Sequence, residues 1–98
     1  MRIRFNKIKK IVTAHKEHLV HLGTRHLAIF GSASRDETKA SSDIDILVDF
    51  DAKKGIFVFA DLKFFLEGIL QSDVDLVSTR ALHPALKKRI LNEAKQIF

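Results

Sequence analysis

Three aspartates have the type and spacing that phosphoryl-transfer chemistry would need. Asp43 and Asp45 open the alternating segment 43–50, so on a strand their carboxylates would project from the same face. Neighbouring carboxylates repel each other unless a cation lies between them, and a hard divalent ion such as Mg²⁺ is the natural occupant. Asp75 lies in a second alternating segment, between apolar residues, where an unpartnered charge is costly. If the two strands are neighbours, three carboxylates meet, and such a cluster can hold two ions and align a phosphoryl group.

A short loop upstream of these aspartates has the composition of a phosphate-binding turn. Gly31-Ser32 follows the apolar run 26–30, and Arg35 comes about one turn later. Glycine lets the backbone approach a phosphate, a serine hydroxyl and free N–H groups can donate to it, and a guanidinium can pair with it. Alone, Asp-x-Asp is typical of a solvated strand face, and Gly-Ser is typical of an ordinary turn. The combination of these two motifs with a third, mid-strand aspartate favours a functional site over ordinary surface residues.

The elements that must position these residues alternate along the chain. Hydrophobic spacing predicts, in order, a helix over 5–22, a strand over 26–30, a short polar turn over 34–39, a strand over 43–50, a helix over 56–70, a strand over 73–78 and a helix over 83–98. His83, beside Pro84, is expected to be the entry to that last helix. The pattern predicts an α/β (α+β) fold in two or three layers, with 1–98 as a single domain.

Composition narrows the classes of function. The chain has 98 residues, no cysteine and a net charge of +5, so disulfides and thiolate chemistry are excluded and anionic partners are favoured. No apolar run reaches the ~20 residues that span a bilayer, and we expect a cytoplasmic protein with no membrane partner. The absence of tyrosine means that any chemistry on a tyrosine hydroxyl acts on another molecule.

Two stretches together resemble a known family. Residues 30–35 (FGSASR) and 42–48 (SDIDILV) resemble the signature of the polymerase-β-like nucleotidyltransferases, and more narrowly the minimal nucleotidyltransferases (MntA-type antitoxins). Residues 74–77 and 82–84 also resemble that family. The resemblance implies a small mixed β-sheet flanked by helices, Mg²⁺ bound by Asp43, Asp45 and Asp75, and triphosphate held by Gly31 and Ser32. The family commonly has glycine after its arginine, whereas Asp36 stands here; an acid there would either weaken ATP binding or point to solvent.

The resemblance also implies a reaction and a partner. Such proteins pair with small helical HEPN toxins, and members neutralise the toxin by transferring AMP from ATP to a toxin tyrosine. Asp75 is the candidate base for the acceptor hydroxyl. The alternative is an antitoxin with a weak site that blocks its partner by binding alone. A third interpretation is a basic RNA-binding domain, but direct nucleic-acid binding is disfavoured because no aromatic residues interleave the lysines. A homo-oligomer is left open.

Two further groups of residues have less specific interpretations. His15, His18 and His21 recur every three residues, without the pattern of a zinc site, and are expected to form a solvated or partner-facing stripe. Four phenylalanines crowd the helix over 56–70, and we expect them mainly to fill the core, although some could form an exposed patch; they are Phe57, Phe59, Phe64 and Phe65.

Overall fold

The structure is a computed structural model that describes residues 4–36 and 43–98. Within these two ranges, four helices and four strands follow one another in the order α1 (Phe5–Ala14), α2 (Lys16–His21), β1 (Thr24–Phe30), β2 (Ile44–Phe50), α3 (Gly55–Leu70), β3 (Val74–Ser78), α4 (Pro84–Glu93) and β4 (Lys95–Gln96). A short 3₁₀ turn follows each of β1, β2 and β3; the three turns are Gly31–Arg35, Ala52–Lys54 and Thr79–Ala81.

The strands form one mixed sheet in the order β3-β2-β1-β4. β1 is antiparallel to both β2 and β4, whereas β2 is parallel to β3. A parallel pair needs a crossover connection, and α3 provides it. The predicted mixed sheet with flanking helices is therefore confirmed.

One face of the sheet carries the hydrophobic core. The alternation of β2 buries Ile44, Ile46 and Val48 completely on this face. Leu62 and Leu66, four residues apart on α3, are equally buried against it because this spacing places them on one side of a helix. Residues of α1, α2, β1 and β3 complete the same cluster, namely Ile8, Val12, Leu19, Leu27, Ile29 and Val74.

Both terminal helices are shorter than the spacing predicts. The first breaks at His15, whose φ of −109° and ψ of 17° are not helical, so that α1 and α2 are separate. The last ends at Glu93, because Ala94 is extended (φ −67°, ψ 133°) and the chain continues as β4 beside β1. The Ile97 N–H donates to the Leu27 carbonyl at 2.8 Å. This pairing satisfies backbone groups that the edge of β1 would otherwise leave open.

Other element predictions are confirmed with small shifts in their bounds. β1 begins at Thr24, and β2 and β3 begin one residue later than predicted. The polar turn is a 3₁₀ turn that starts at Gly31; its predicted continuation over 37–39 lies outside the described residues. His83 caps α4, since its Nδ1 accepts from the Ala85 N–H at 3.1 Å.

The prediction that the four phenylalanines of α3 mainly fill the core is confirmed for two of them and wrong for the other two. Phe59 and Phe65 pack against the core, but the side chains of Phe57 and Phe64 are 85% and 66% exposed. These two lie seven residues apart, on the side of α3 away from the leucines that face the sheet. The exposed patch considered as the alternative is therefore present.

The histidine stripe is solvated at His18 and His21, which are exposed as predicted, whereas His15 is partly buried. His15 Nδ1 donates to the Ile11 carbonyl at 2.9 Å, and the rings of His15 and His18 lie against Phe65, with centroids 5.6 and 4.4 Å from its centroid. Among the described residues, no helix has the length and apolar character needed to span a membrane.

Candidate active site

The parallel pairing of β2 with β3 brings two of the predicted aspartates together. Asp45 is directly opposite Asp75 in the register, and their side chains are hydrogen-bonded to each other. Adjacent strands lie ~4.8 Å apart, so the two carboxyl groups share one small region of the sheet. Asp43 lies just before β2 and is exposed. The structure thus confirms that the two strands are neighbours, as the clustering of the carboxylates required.

Burial and neighbouring negative charges shift the pKa of Asp45. Burial raises the pKa of Asp45 above its usual range, and the charges of Asp75 and then Asp43 raise it further. The hydrogen bond with Asp75 and the charge of Glu93 act in the same direction. The folded chain therefore retains a proton on Asp45 to a higher pH than the unfolded chain, as expected where carboxylates crowd together.

Gly31 is required by its backbone and by its contact with Asp45. Its φ is +67°, a left-handed conformation that L residues with a Cβ rarely adopt. A Cβ at this position would clash with Asp45 Oδ2 and would lie 3.1 Å from Asp45 Cγ. The loop backbone is therefore packed directly against the carboxylate, which is the close approach that a phosphate-binding glycine would also need.

The turn that begins at Gly31 also contains Ser32 and Arg35. Ser34 Oγ donates to the Gly31 carbonyl at 2.7 Å and is almost fully buried, so it holds the turn closed. Ser32 is only partly buried, while Arg35 ends the turn with its guanidinium Nη1 3.3 Å from Glu93 Oε1. Sequence reasoning missed both Ser34 and Glu93; Ser34 could have been found from its i+3 spacing to Gly31, but nothing local marks Glu93.

Asp36 is exposed and is hydrogen-bonded to the start of α1. It has a left-handed backbone (φ 55°, ψ 33°), and its Oδ1 accepts from the Phe5 N–H at 2.6 Å. That N–H belongs to the first turn of α1, which has no partner within its own helix. The left-handed backbone accounts for a glycine being suited to this position, and the hydrogen bond links this exposed acid to α1.

A cavity of about 580 Å³ lies on the same sheet face as the aspartate pair. Its floor includes Leu47 and Asp49, the next residues of β2 that share the face of Asp45, and α4 contributes Leu91 to its wall. The lining is mixed: Leu27, Ala28 and Ala94 are its other apolar residues, and His26, Thr79 and Gln96 are its other polar ones. Its volume is in the range of ligand pockets, but neither Asp45 nor Asp75 lines it.

The donor set fits a hard cation. The carboxylates of Asp45 and Asp75 lie together, Asp43 adds charge beside them, and oxygen ligands of this kind suit Mg²⁺. Within residues 4–36 and 43–98, no three side chains of the metal-binding types already stand at ligand spacing. The pair could therefore form part of such a site only if a third ligand, such as Asp43, turned toward it.

Comparison with known proteins matches this geometry. A family model described as polymerase beta nucleotidyltransferase matches residues 6–98. A proposed protein adenylyltransferase of Methanocaldococcus jannaschii is 42% identical over 97 residues, covering 98% of this chain and 100% of the relative. The protein adenylyltransferase MntA of Thermococcus cleftensis is 39% identical over 92 residues, which are 93% of each chain.

Solved structures share the fold over nearly the whole chain. One proposed minimal nucleotidyltransferase superimposes with a TM-score of 0.84 at 33% identity, over 95% of each chain. A toxin–antitoxin structure with AMP-PNP matches with a TM-score of 0.70 at 28% identity, over 98% of this chain and 73% of that one. A complex of a tri-AMPylated HEPN toxin with its MNT antitoxin, from Shewanella oneidensis, matches with a TM-score of 0.59 at 25% identity, over 88% and 71%.

Proposed function

The chain belongs to the polymerase-β nucleotidyltransferase family, and on that premise we propose that it transfers AMP from ATP to a hydroxyl group of a HEPN-type toxin and so acts as its antitoxin. It is therefore an enzyme, a nucleotidyltransferase. The observation that carries the proposal is the Asp45–Asp75 pair, with Asp45 packed against Gly31, because two carboxylates that could bind a cation lie at the start of a turn that could bind phosphate.

Asp43, Asp45 and Asp75 would hold Mg²⁺ in this proposal. When bound, the ion neutralises negative charge on the triphosphate and on the attacking and leaving oxygens. The raised pKa of Asp45 supports this role, since the carboxylates repel each other until positive charge compensates them.

The turn Gly31–Arg35, called the phosphate loop from here on, would hold the triphosphate. The Gly31 backbone allows close approach, Ser32 contributes its hydroxyl group, and Arg35 pairs with phosphate oxygens. The neighbouring cavity would accept the nucleoside of ATP, since it lies on the same face and has the required volume.

Asp75 would act as the base. It is more exposed than Asp45 and so is the carboxylate that an incoming hydroxyl group can reach. The acceptor oxygen attacks the α-phosphorus, its proton passes to Asp75, and pyrophosphate leaves with the electrons of the broken P–O bond. A bond to AMP thus forms on the acceptor as the bond to pyrophosphate breaks.

The acceptor would come from another protein. The chain contains no tyrosine, and the HEPN toxin bound to an MNT antitoxin in Shewanella oneidensis is AMPylated. The toxin–antitoxin structure with AMP-PNP supports ATP as the donor. We propose residues 1–98 as one catalytic domain that receives this acceptor from its partner.

Intact-mass spectrometry of the partner tests the proposal directly. The partner is co-purified, then incubated with the chain, ATP and Mg²⁺; the test variants are Asp43→Asn and Asp45→Asn. Asp61→Asn is the control, because it removes the same charge from an exposed position on α3. We expect the partner to gain AMP with the wild type and the control only. A stable complex without any mass gain would instead favour inhibition by binding alone.

A further inference from the structure

Glu93 connects the end of α4 to the phosphate loop. Its Oε1 lies 3.3 Å from Arg35 Nη1 and 3.8 Å from Arg89 Nε, the latter an i,i+4 neighbour on α4. The Glu93 side chain is 29% exposed, against 46% for Arg35 and 78% for Arg89. Glu93 is therefore the least exposed member of the cluster, and the ion pair with Arg35 is its closer contact.

This contact lies beside the candidate active site. Arg35 ends the same five-residue turn whose first residue, Gly31, packs against Asp45. The charge of Glu93 also contributes to the raised pKa of Asp45. The carboxylate of Glu93 is thus near enough to influence the site, but its hydrogen-bonding distance is to Arg35 and not to the aspartates.

We propose that Glu93 is a positioning residue that holds the Arg35 guanidinium in the orientation that receives the triphosphate; this inference rests on the proposed function. A guanidinium carries five N–H donors in a planar fork, so it can keep one contact with Glu93 and present other donors to phosphate oxygens. Fixing this flexible side chain in advance removes an ordering cost from nucleotide binding. Glu93 acts through Arg35 and does not touch the reacting atoms.

Two variants separate this role from simple attachment of α4. Glu93→Gln keeps the shape of the side chain but removes its charge. Arg89→Gln removes the more exposed ion pair of the same glutamate and leaves the contact with Arg35 in place. If Glu93 only attached α4 to the rest of the fold, the Glu93→Gln substitution would change thermal stability but would leave the affinity for nucleotide unchanged.

The experiment measures AMP-PNP binding by calorimetry in Mg²⁺ and, with the partner, transfer kinetics. We expect Glu93→Gln to weaken AMP-PNP binding and to raise the KM for ATP by about 2- to 10-fold, with kcat within about 2-fold of wild type. Arg89→Gln should change neither. In an Arg35→Gln background, Glu93→Gln should have no further effect on binding, because the group through which it acts is gone.

Three outcomes overturn the inference: unchanged binding in Glu93→Gln, an effect of equal size in the Arg35→Gln background, or a loss confined to kcat. Either of the last two would show that Glu93 does not act through the orientation of Arg35. A wild type that binds AMP-PNP but never modifies its partner would overturn the proposed transfer and leave the binding test of Glu93 decisive. A wild type that binds no nucleotide would overturn both.

Discussion

Replacement of Gly31 by alanine should disable the site more than it destabilises the fold. The added Cβ would clash with Asp45 Oδ2, so either the turn or the carboxylate must shift. The left-handed φ of +67° adds a second penalty that is independent of this contact. Gly55 offers a matched control, since its φ is +85° and a Cβ there would meet nothing within 4 Å.

Both alanine variants should lose stability, but only Gly31→Ala should also lose transfer rate. A left-handed conformation costs alanine about 1–2 kcal/mol, which in a domain of this size lowers Tm by roughly 4–16 °C. Gly55 has ψ 171°, a region nearly specific to glycine, so its alanine variant should lose about 1–3 kcal/mol. Only Gly31→Ala also displaces a reacting-site carboxylate, and a shift of about 1 Å costs on the order of 100-fold in rate.

Thermal unfolding and AMP transfer should be measured on both variants, with transfer assayed well below either Tm. We expect both Tm values to fall, and transfer to fall by about 100-fold in Gly31→Ala while remaining within about 2-fold in Gly55→Ala. Near-normal transfer by Gly31→Ala would refute the contact as a functional constraint. Equal loss of transfer in both variants would show that lost stability explains the effect.

Three other substitutions test separate parts of the structure. Because the pKa of Asp45 is raised on folding, the folded chain binds the extra proton, and its free energy of unfolding should fall as pH rises from the ordinary aspartate pKa through the raised one. Urea unfolding of Asp45→Asn without divalent ions should lack this fall, whereas Asp61→Asn should keep it; an unchanged profile in Asp45→Asn contradicts the assignment. Asp36→Ala should lose about 1 kcal/mol of stability with the hydrogen bond to the first turn of α1, without tighter ATP binding. Tighter binding would mean that Asp36 opposes the triphosphate after all. Leu62→Ala should cost about 2–5 kcal/mol by chemical denaturation, since this side chain is fully buried; a loss below about 1 kcal/mol would contradict its place in the core.

The sheet face that Asp45 occupies could be predicted, because the alternation of side chains between the two faces is a property of a single strand. Asp45 was placed opposite the apolar residues of β2, and that is its position in the sheet. The direct opposition of Asp45 and Asp75 could not be predicted from spacing. It depends on which strands become neighbours and in what register, which tertiary packing decides.

The features that the sequence does not predict are those that depend on residues distant in the chain. β4 has only two residues, too few for a periodic signal, and it exists because β1 offers an open edge. Phe57 and Phe64 have the same apolar character as the buried residues of α3, so composition could not separate the exposed side from the packed one. The hydrogen bond from Phe5 to Asp36 joins residues distant in sequence and leaves no local pattern.

The distribution of helices over the sheet is compatible with the proposed transfer of AMP to another protein. α1, α2 and α3 contribute to a single core on the face of Ile44, Ile46 and Val48. Most of the apolar burial is therefore achieved on that side, and the opposite face can carry charged groups that packing would not tolerate. The Asp45–Asp75 pair and the neighbouring cavity occupy that opposite face, where α4 contributes only part of the cavity wall. In the proposed reaction, a macromolecular acceptor would approach this face without displacing the core, and the repulsion within the carboxylate pair would favour the binding of a cation there.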